Sequence, residues 1–197
     1  VVMEAERFAT SVQEPGTQWT VIPDLGRTLS GLSLMPYTKP VSGASLTYQM
    51  RLKSDLSGVR VRLILDSTLP FIKGGHSYAI RLDDGEEQIE NYNSDLTWAN
   101  CYSKMYPAGA ARVIESKVTF PGVTLEVGVH TLTIRPLSPA IVLHKILVDC
   151  GGAMSGSCLL QTQVANELLC SLIREFFELA MQMYTADTYF RTDHFDG

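Results

Sequence analysis

Apolar and polar residues alternate with a period of two along much of residues 1–152. The pattern is clearest in residues 46–52 and 59–65. In the second of these segments, one face carries only apolar residues: Val59, Val61, Leu63 and Leu65. Because successive side chains of a strand point to opposite faces, both segments predict β-strands with one buried face.

Turn residues separate these strands from several others of similar length. Asp83, Asp84 and Gly85 follow the strand-like segment 77–82 and form a hairpin signal, because Asp and Gly tolerate positive φ. Later segments of this kind, with breaks at Pro121-Gly122 and Val127-Gly128, are 112–120, 123–127, 130–135 and 141–148. Short strands at this spacing, without helical periodicity between them, predict an all-β fold, an antiparallel sandwich.

The end of the chain has a different pattern. From 163 to 184 the apolar positions recur about every 3.6 residues, no Gly or Pro interrupts them, and Thr162 is a candidate N-cap. We therefore predict three parts: a β-sandwich domain at 1–152, a linker at 153–162, and a C-terminal amphipathic helix with its tail at 163–197.

The apolar stripe of this helix is too wide to be left in water. It packs either on the sandwich or on another chain, and the second alternative predicts a homo-oligomer formed through 163–184. The residues expected to face the partner surface are Leu168, Leu172, Phe176, Ala180 and Met183. A membrane-surface helix is disfavoured, because the polar face carries more Glu than Lys and Arg.

The composition of the chain mainly excludes certain classes of protein. A net charge of −5, with scattered Lys and Arg, argues against a nucleic-acid surface. No apolar stretch reaches the roughly 18 residues of a membrane span, and no signal peptide opens the chain, which we interpret as a mature or excised fragment. No two of the four cysteines form a C-x-x-C motif, which excludes a zinc ribbon. The sequence does not determine which cysteines, if any, pair in disulfides.

Three carboxylates lie in the first and last strand-like segments. Glu4 and Glu6 are two residues apart and share one strand face, and Asp149 closes the last strand. If the first and last strands meet, these residues create the oxygen-rich environment that calcium prefers. The alternative is that Glu4 and Glu6 lie on a solvated edge strand.

Residues 19–31 carry a recognisable motif, Trp-Thr-Val-Ile-Pro-Asp-Leu-Gly-Arg-Thr-Leu-Ser-Gly. It resembles the W-x-x-I-P-x-L-G-R-T-x-S signature of the C-terminal domain of glycoside hydrolase family 115, whose members are xylan α-1,2-glucuronidases. Further segments that agree with that domain, in the same order, are 3–8, 46–48, 78–84, 128–134 and 142–149. The resemblance covers about residues 1–152.

This resemblance implies a non-catalytic accessory domain of an α-glucuronidase that acts on xylan. Its role would be structural support, subunit contact or polysaccharide contact, and its partners would be xylan-type polysaccharide or the parent catalytic domain. The implied location is extracellular or periplasmic. The alternatives are a self-standing carbohydrate-binding module and an assembly element that uses the C-terminal helix.

More distantly, the first and last strands are similar to those of carbohydrate-binding modules of families 6 and 35. Those modules are jelly-roll sandwiches of the galactose-binding-like type, and they often hold a structural calcium ion. The positions that match here are Glu4, Glu6 and Asp149. The resemblance therefore implies a calcium site at these residues, and no other cofactor is expected.

The residue pattern offers no catalytic site. Asp83 and Asp84 fall in a predicted turn, where Asp is favoured for backbone reasons. There is no G-x-S-x-G motif and no pair of histidines at i, i+4 spacing. We predict that this chain alone is not an enzyme and will not release glucuronic acid from xylan.

Residues 91–102 have the composition of a sugar-binding loop, since aromatic rings pack on pyranose C–H faces and polar side chains bond hydroxyls. The candidate platforms are Trp98, Tyr92 and Tyr102, and the candidate rim residues are Asn93, Asp95 and Asn100. Core packing is the alternative for Trp98, and the one we favour; Trp19 is also expected in the core.

Arg27 follows a glycine in a predicted tight loop. A guanidinium there is a candidate for binding a carboxylate such as a glucuronate. The alternative, which we favour, is a salt bridge within the domain.

Overall fold

A computed structural model of the protein describes residues 1–26, 28–110 and 112–149. In that part of the chain, eleven strands form two sheets in which every pairing is antiparallel. The predicted antiparallel sandwich is thereby confirmed. The predicted linker at 153–162 and helix at 163–184 lie outside the described residues, so they and the domain boundary at 152 stay predictions.

The six-stranded sheet has the order β3 (Gln18–Ile22), β4 (Gly31–Met35), β11 (Val142–Asp149), β6 (Leu56–Leu65) and β9 (Ile114–Leu125), and β1 (Val2–Glu4) also pairs with β11. The five-stranded sheet has the order β2 (Thr10–Val12), β5 (Ser45–Leu52), β10 (Gly128–Pro136), β7 (Ser77–Leu82) and β8 (Gln88–Asn91). The chain therefore passes from one sheet to the other several times.

The hydrophobic core lies between the inner faces of the two sheets. From β6 it receives the four predicted inward residues, whose side chains are at most 1% exposed: Val59, Val61, Leu63 and Leu65. Leu46 and Tyr48 of β5 face them from the five-stranded sheet. Arg60 and Arg62 alternate with the β6 core residues and take part in ion pairs on the outer face. The alternation of apolar and polar residues in β6 thus corresponds to one buried face and one solvent-exposed face.

Strand β9 is continuous where the sequence predicts a break at Pro121-Gly122. The pairing with β6 shifts register between Ser57 and Val59, and Gly122 has a φ of 79°. A bulge of this kind absorbs the extra residues without ending the strand. Because β9 is an edge strand, Pro121 removes no hydrogen bond that an interior strand would need.

Residues 98–110 are helical rather than the predicted loop. A 3₁₀ turn at Trp98–Asn100 leads into a π-helix at Cys101–Ala110. The turn begins where the Thr97 backbone N–H donates to the Asn100 side-chain oxygen at 2.8 Å, which satisfies a donor at the helix start. Within the part of the chain that the structure describes, no helix has the length and hydropathy to span a membrane. Cys101 is a free thiol, and the other three cysteines lie outside the described residues.

Candidate functional site

Three aromatic side chains of the 98–110 segment are exposed to solvent. Trp98 is 80% exposed, Tyr102 93% and Tyr106 61%. The three are spaced four residues apart, a spacing that places residues on one side of a helical segment. The favoured alternative for Trp98, core packing, is therefore wrong. We call Trp98, Tyr102 and Tyr106 the aromatic ridge.

A separate groove of about 500 Å³ is lined by Lys104 and Ala108 of the same helical segment, and by none of the three ridge residues. Its apolar lining includes Tyr92, Leu96 and Ile114. The charged side chains around it are Asp95, Lys104, Arg112 and Glu115. The groove thus combines an apolar base with charged groups that can donate and accept hydrogen bonds.

Three of these four charged side chains, Asp95, Lys104 and Glu115, take part in ion pairs. The Lys104 ammonium lies 2.6 Å from Asp95 Oδ2. The Glu115 carboxylate accepts from Arg62 at 3.2 Å and lies 3.6 Å from the Lys117 ammonium. Exposed pairs of this kind contribute little to stability but fix the positions of polar groups.

Tyr92, a predicted platform, lines the groove but packs its ring against the core. The ring stacks on His76 with centroids 6.0 Å apart and lies 6.3 Å from the ring of Tyr78. Burial raises the pKa of the Tyr92 phenol, with an opposing hydrogen bond to Thr68. The ring therefore belongs to the edge of the core, and stacking of a sugar on Tyr92 stays a prediction.

Asn93, a predicted rim residue, is fully buried. Its side-chain oxygen accepts the His76 backbone N–H at 2.6 Å, and its amide nitrogen lies 3.1 Å from His76 Nδ1. His76 is also fully buried, and this burial lowers the pKa of its imidazole despite the hydrogen bond from Asn93. The rim role of Asn93 is corrected: its amide joins the 91–96 segment to the loop before β7.

Asn100 also uses its amide within the protein. The side-chain oxygen accepts from the Thr97 backbone N–H, and the side-chain nitrogen donates to the Asp95 carbonyl, each at 2.8 Å. These bonds hold the 3₁₀ turn that carries Trp98. Asn100 therefore positions the aromatic ridge, and direct ligand contact by Asn100 stays a prediction.

Three other residues are singled out in the sequence: Trp19, Asp83 and Arg27. The first two lie outside the groove and have structural roles. Trp19 packs against the core and its indole N–H donates to the Val12 carbonyl at 2.9 Å, which confirms the expected core position. Asp83 has a φ of 47° and its Oδ1 accepts the Thr131 backbone N–H at 2.7 Å, which confirms the turn interpretation. Arg27 lies outside the described residues, so its role stays a prediction.

The predicted calcium ligands do not come together. Strand β1 pairs with β11 so that Glu4 lies opposite Lys145. Asp149 is four residues further along β11, roughly 13 Å away at a rise of about 3.3 Å per residue. The carboxylate of Glu4 lies 3.1 Å from Lys145 Nζ, and that of Asp149 lies 3.7 Å from Arg60.

Within residues 1–26, 28–110 and 112–149, no group of three or more His, Cys, Asp or Glu is arranged to hold a metal ion. Calcium takes about six to eight oxygen ligands, whereas two of the three predicted ligands face cationic side chains. Glu4, Glu6 and Asp149 as placed do not fit the calcium site that the resemblance implies.

Comparison with the sequence models of protein families shows the family to which this chain belongs. Residues 1–162 match the sequence model of the "Glycosyl hydrolase family 115 C-terminal domain". The chain belongs to this family. The resemblance drawn from residues 19–31 and the strand segments is thereby confirmed. Among curated protein sequences, none matches the chain.

Several solved structures are similar to this family 115 domain at low sequence identity. A family GH115 4-O-methyl-α-glucuronidase, BtGH115A, with specificity for decorated arabinogalactans, is 17% identical with a TM-score of 0.50, over 73% of this chain. An exo-β-1,3-galactanase from Phanerochaete chrysosporium is 15% identical with a TM-score of 0.49, over 76% of this chain. The matches span 18% of the glucuronidase and 29% of the galactanase.

A family 6 carbohydrate-binding module from Clostridium cellulolyticum, solved in complex with xylose, is also similar. It is 16% identical with a TM-score of 0.44, and the match covers 76% of this chain and 96% of the module.

Sequence reasoning missed Tyr106 and Lys104, because the segment was interpreted as a loop that ended near Tyr102. The available signal was the repeat of aromatic residues at 98, 102 and 106. A spacing of four places the three rings on one face of a helix, and it does the same on a strand, so the repeat predicts a shared face but not the helix itself.

Proposed function

We propose that this family 115 domain is a non-catalytic accessory domain that contacts xylan-type polysaccharide for a parent α-glucuronidase. The observation that carries the proposal is the exposure of the aromatic ridge, with Trp98 at 80% and Tyr102 at 93%. A parent enzyme that acts on xylan would work outside the cytoplasm, in the extracellular or periplasmic space.

The chemistry of the ridge and groove suits a sugar chain. Large aromatic rings left in water are unfavourable, and contiguous exposed apolar surface is typical of binding sites. A pyranose offers C–H faces to such rings and hydroxyls at its rim. The Asp95–Lys104 pair and Arg112 at the groove supply acceptors and donors for those hydroxyls.

The same groove supports a non-catalytic role. The two carboxylates that line it are Asp95 and Glu115, and each lies within an ion pair. That is the arrangement of surface ion pairs and not of a general acid in an apolar pocket. We expect the purified chain to release no glucuronic acid from xylan, and release that disappears on substitution of one carboxylate would contradict this role.

Xylan binding is tested by affinity electrophoresis of the 197-residue chain in gels that contain glucuronoxylan. Trp98→Ala and Tyr102→Ala should each weaken binding roughly 10-fold or more, since burial of one such ring is worth about 1.5–3 kcal/mol. The control is Ile89→Ala, which removes a 67% exposed apolar side chain from β8 and should bind as the wild type does.

Equal retardation of the wild type and Trp98→Ala would contradict contact through the ridge. A wild-type chain that is not retarded by any xylan would contradict polysaccharide contact altogether.

A second candidate function is docking on the parent catalytic domain. Apolar surface is also exposed outside the ridge, at Leu69 and Phe71, which are 40% and 63% exposed. Leu69 approaches Gly109 of the π-helix, and Phe71 packs edge-on against His76 at 4.6 Å between centroids. If docking is the function, Trp98→Ala should abolish co-purification with the separately expressed parent catalytic domain and leave xylan retardation unchanged.

A further inference from the structure

The first twelve residues join the two sheets. Strand β1 pairs with β11 in the six-stranded sheet, and β2 pairs with β5 in the five-stranded sheet. Between them, Ala5 is fully buried and its carbonyl accepts the Tyr48 hydroxyl at 2.7 Å. The Ala9 backbone N–H donates to the Thr47 carbonyl at 2.8 Å. Residues 1–9 therefore form a junction whose position depends on both sheets.

One ion pair lies at the start of this junction. Val1 and Val148 exchange both of their backbone hydrogen bonds, at 2.7 and 2.8 Å. Since hydrogen-bonded and non-hydrogen-bonded pairs alternate along an antiparallel ladder, Glu4 and Lys145 form a non-hydrogen-bonded pair. Side chains approach most closely at such pairs, and the Lys145 ammonium lies 3.1 Å from Glu4 Oε1.

This pair is mostly shielded from water. The side chain of Lys145 is 14% exposed and that of Glu4 is 19% exposed. The Thr28 hydroxyl donates to the same oxygen of Glu4 at 2.8 Å, from the loop before β4. Glu4 Oε1 thus receives one charged and one neutral donor, which is a satisfied arrangement for a carboxylate with little access to water.

A shielded carboxylate at a strand junction needs a cation to offset its loss of hydration. We propose that the Lys145 ammonium is the structural cation of this junction, in place of the calcium ion that the resemblance implies. The ammonium lies 3.1 Å from Glu4 Oε1, so a calcium ion bound to that oxygen at about 2.3–2.6 Å would compete with it for the same carboxylate. The ammonium also repels a second cation, because both charges would lie at the same carboxylate.

The proposal is tested by thermal melting of the full chain in excess EDTA and in excess calcium. The wild-type melting temperature should be the same in both, because a ligand stabilises a protein only if the folded state binds it. Lys145→Met should lower the melting temperature by at least about 3 °C in both buffers, since it leaves a shielded carboxylate without its cation. Lys145→Arg, which keeps the charge, should melt close to the wild type.

Two further variants separate charge from packing. The double variant Glu4→Gln/Lys145→Met should melt above Lys145→Met, because it removes the uncompensated carboxylate as well. Lys117→Met is the matched control, since Lys117 lies 3.6 Å from Glu115 in the same sheet but is 63% exposed, and it should cause a shift of less than about 1 °C.

If Lys145→Met does not fold while Lys145→Arg does, the need for the charge is supported. A wild-type melting temperature that falls by several degrees in EDTA would overturn the proposal. So would a Lys145→Met variant that melts with the wild type.

Discussion

At the scale of single residues, the hairpin between β7 and β8 is held by a polar cluster around Asp83. Asp83 Oδ2 lies 2.7 Å from His130 Nδ1, and His130 Nε2 lies 2.8 Å from the Glu126 carbonyl. A carbonyl and a carboxylate only accept, so both imidazole nitrogens donate when both bonds are made, and the ring is then cationic. The hydrogen bond to Asp83, followed by that to Glu126, raises the pKa of His130.

Burial opposes ionisation of Asp83, but the hydrogen bonds from the Thr131 backbone and from His130 outweigh it and lower the Asp83 pKa. His130 therefore contributes stability that is fully present below its ordinary pKa of about 6.5 and is lost as pH rises through its higher folded-state pKa. Asp83 contributes stability above its ordinary pKa of about 3.9 and loses it as pH falls further. The pair is most stabilising between these two values.

We expect the melting temperature of the wild type to lose a His130 contribution as pH rises above about 6.5 and through the raised pKa of His130, and His130→Gln to lack that loss. The difference should be small, below about 1 kcal/mol or a few degrees, because Asp83 is 39% exposed and solvent screens the pair. Melting curves of both proteins across this range measure it. Parallel pH profiles for the two proteins would show that His130 does not contribute in this way.

Single residues also show where sequence reasoning fails. Trp98 and Asn93 both have the residue types of a sugar site, and the sequence favours core packing for Trp98 and a rim position for Asn93. The structure places one at the surface and the other in the interior, because Asn93 is bonded by His76 from a segment about 17 residues away. The local sequence gives only the type of each residue, whereas its burial depends on contacts with residues that are distant in the sequence.

At the scale of elements, two tyrosines join the sheets through the core. The Tyr78 hydroxyl of β7 lies 2.7 Å from Ser116 Oγ of β9, and the Tyr48 hydroxyl of β5 donates to the Ala5 carbonyl. Burial raises the pKa of both phenols. Each hydroxyl therefore stays neutral in the physiological range and bonds across the space between the sheets.

Tyr78→Phe should destabilise the domain by about 1–3 kcal/mol, because Ser116 is 4% exposed and would lose its partner in a buried position. Thermal melting should show a decrease of roughly 2–12 °C. The double variant Tyr78→Phe/Ser116→Ala should recover part of that loss, since it leaves no unpaired hydroxyl. Tyr106→Phe is the control, with a 61% exposed ring and no expected change. A Tyr78→Phe variant as stable as this control would contradict the assignment.

Elements with strict alternation were predictable and elements with local irregularity were not. The inward face of β6 follows directly from the period of two. The continuity of β9 through Pro121 does not, because it depends on a bulge opposite Ser57 and on an edge position that only the pairing of distant strands creates. The helical segment after Thr97 was missed because composition suggested a loop and the four-residue aromatic spacing does not by itself predict a helix.

At the scale of the whole molecule, the sandwich provides a rigid support for the groove and the aromatic ridge. The groove takes Ile64 from β6, Ile114 and Glu115 from β9, and the remainder from the segment between β8 and β9. The sequence motif at 19–31 was sufficient to predict the family. It was not sufficient to predict the groove, because the strands that form it are distant in sequence and become neighbours only in the sheet.

The most direct test of polysaccharide contact uses the two tryptophans of the chain, Trp19 and Trp98. Trp19 packs on the core with its indole N–H bonded to Val12, whereas Trp98 is 80% exposed. Tryptophan emission is followed while glucuronoxylan oligosaccharides are added to the wild type, to Trp98→Phe and to Trp19→Phe. The proposed function predicts a blue shift in the wild type and in Trp19→Phe, and none in Trp98→Phe. A wild-type spectrum that does not change with glycan, or a shift that persists in Trp98→Phe, would contradict it.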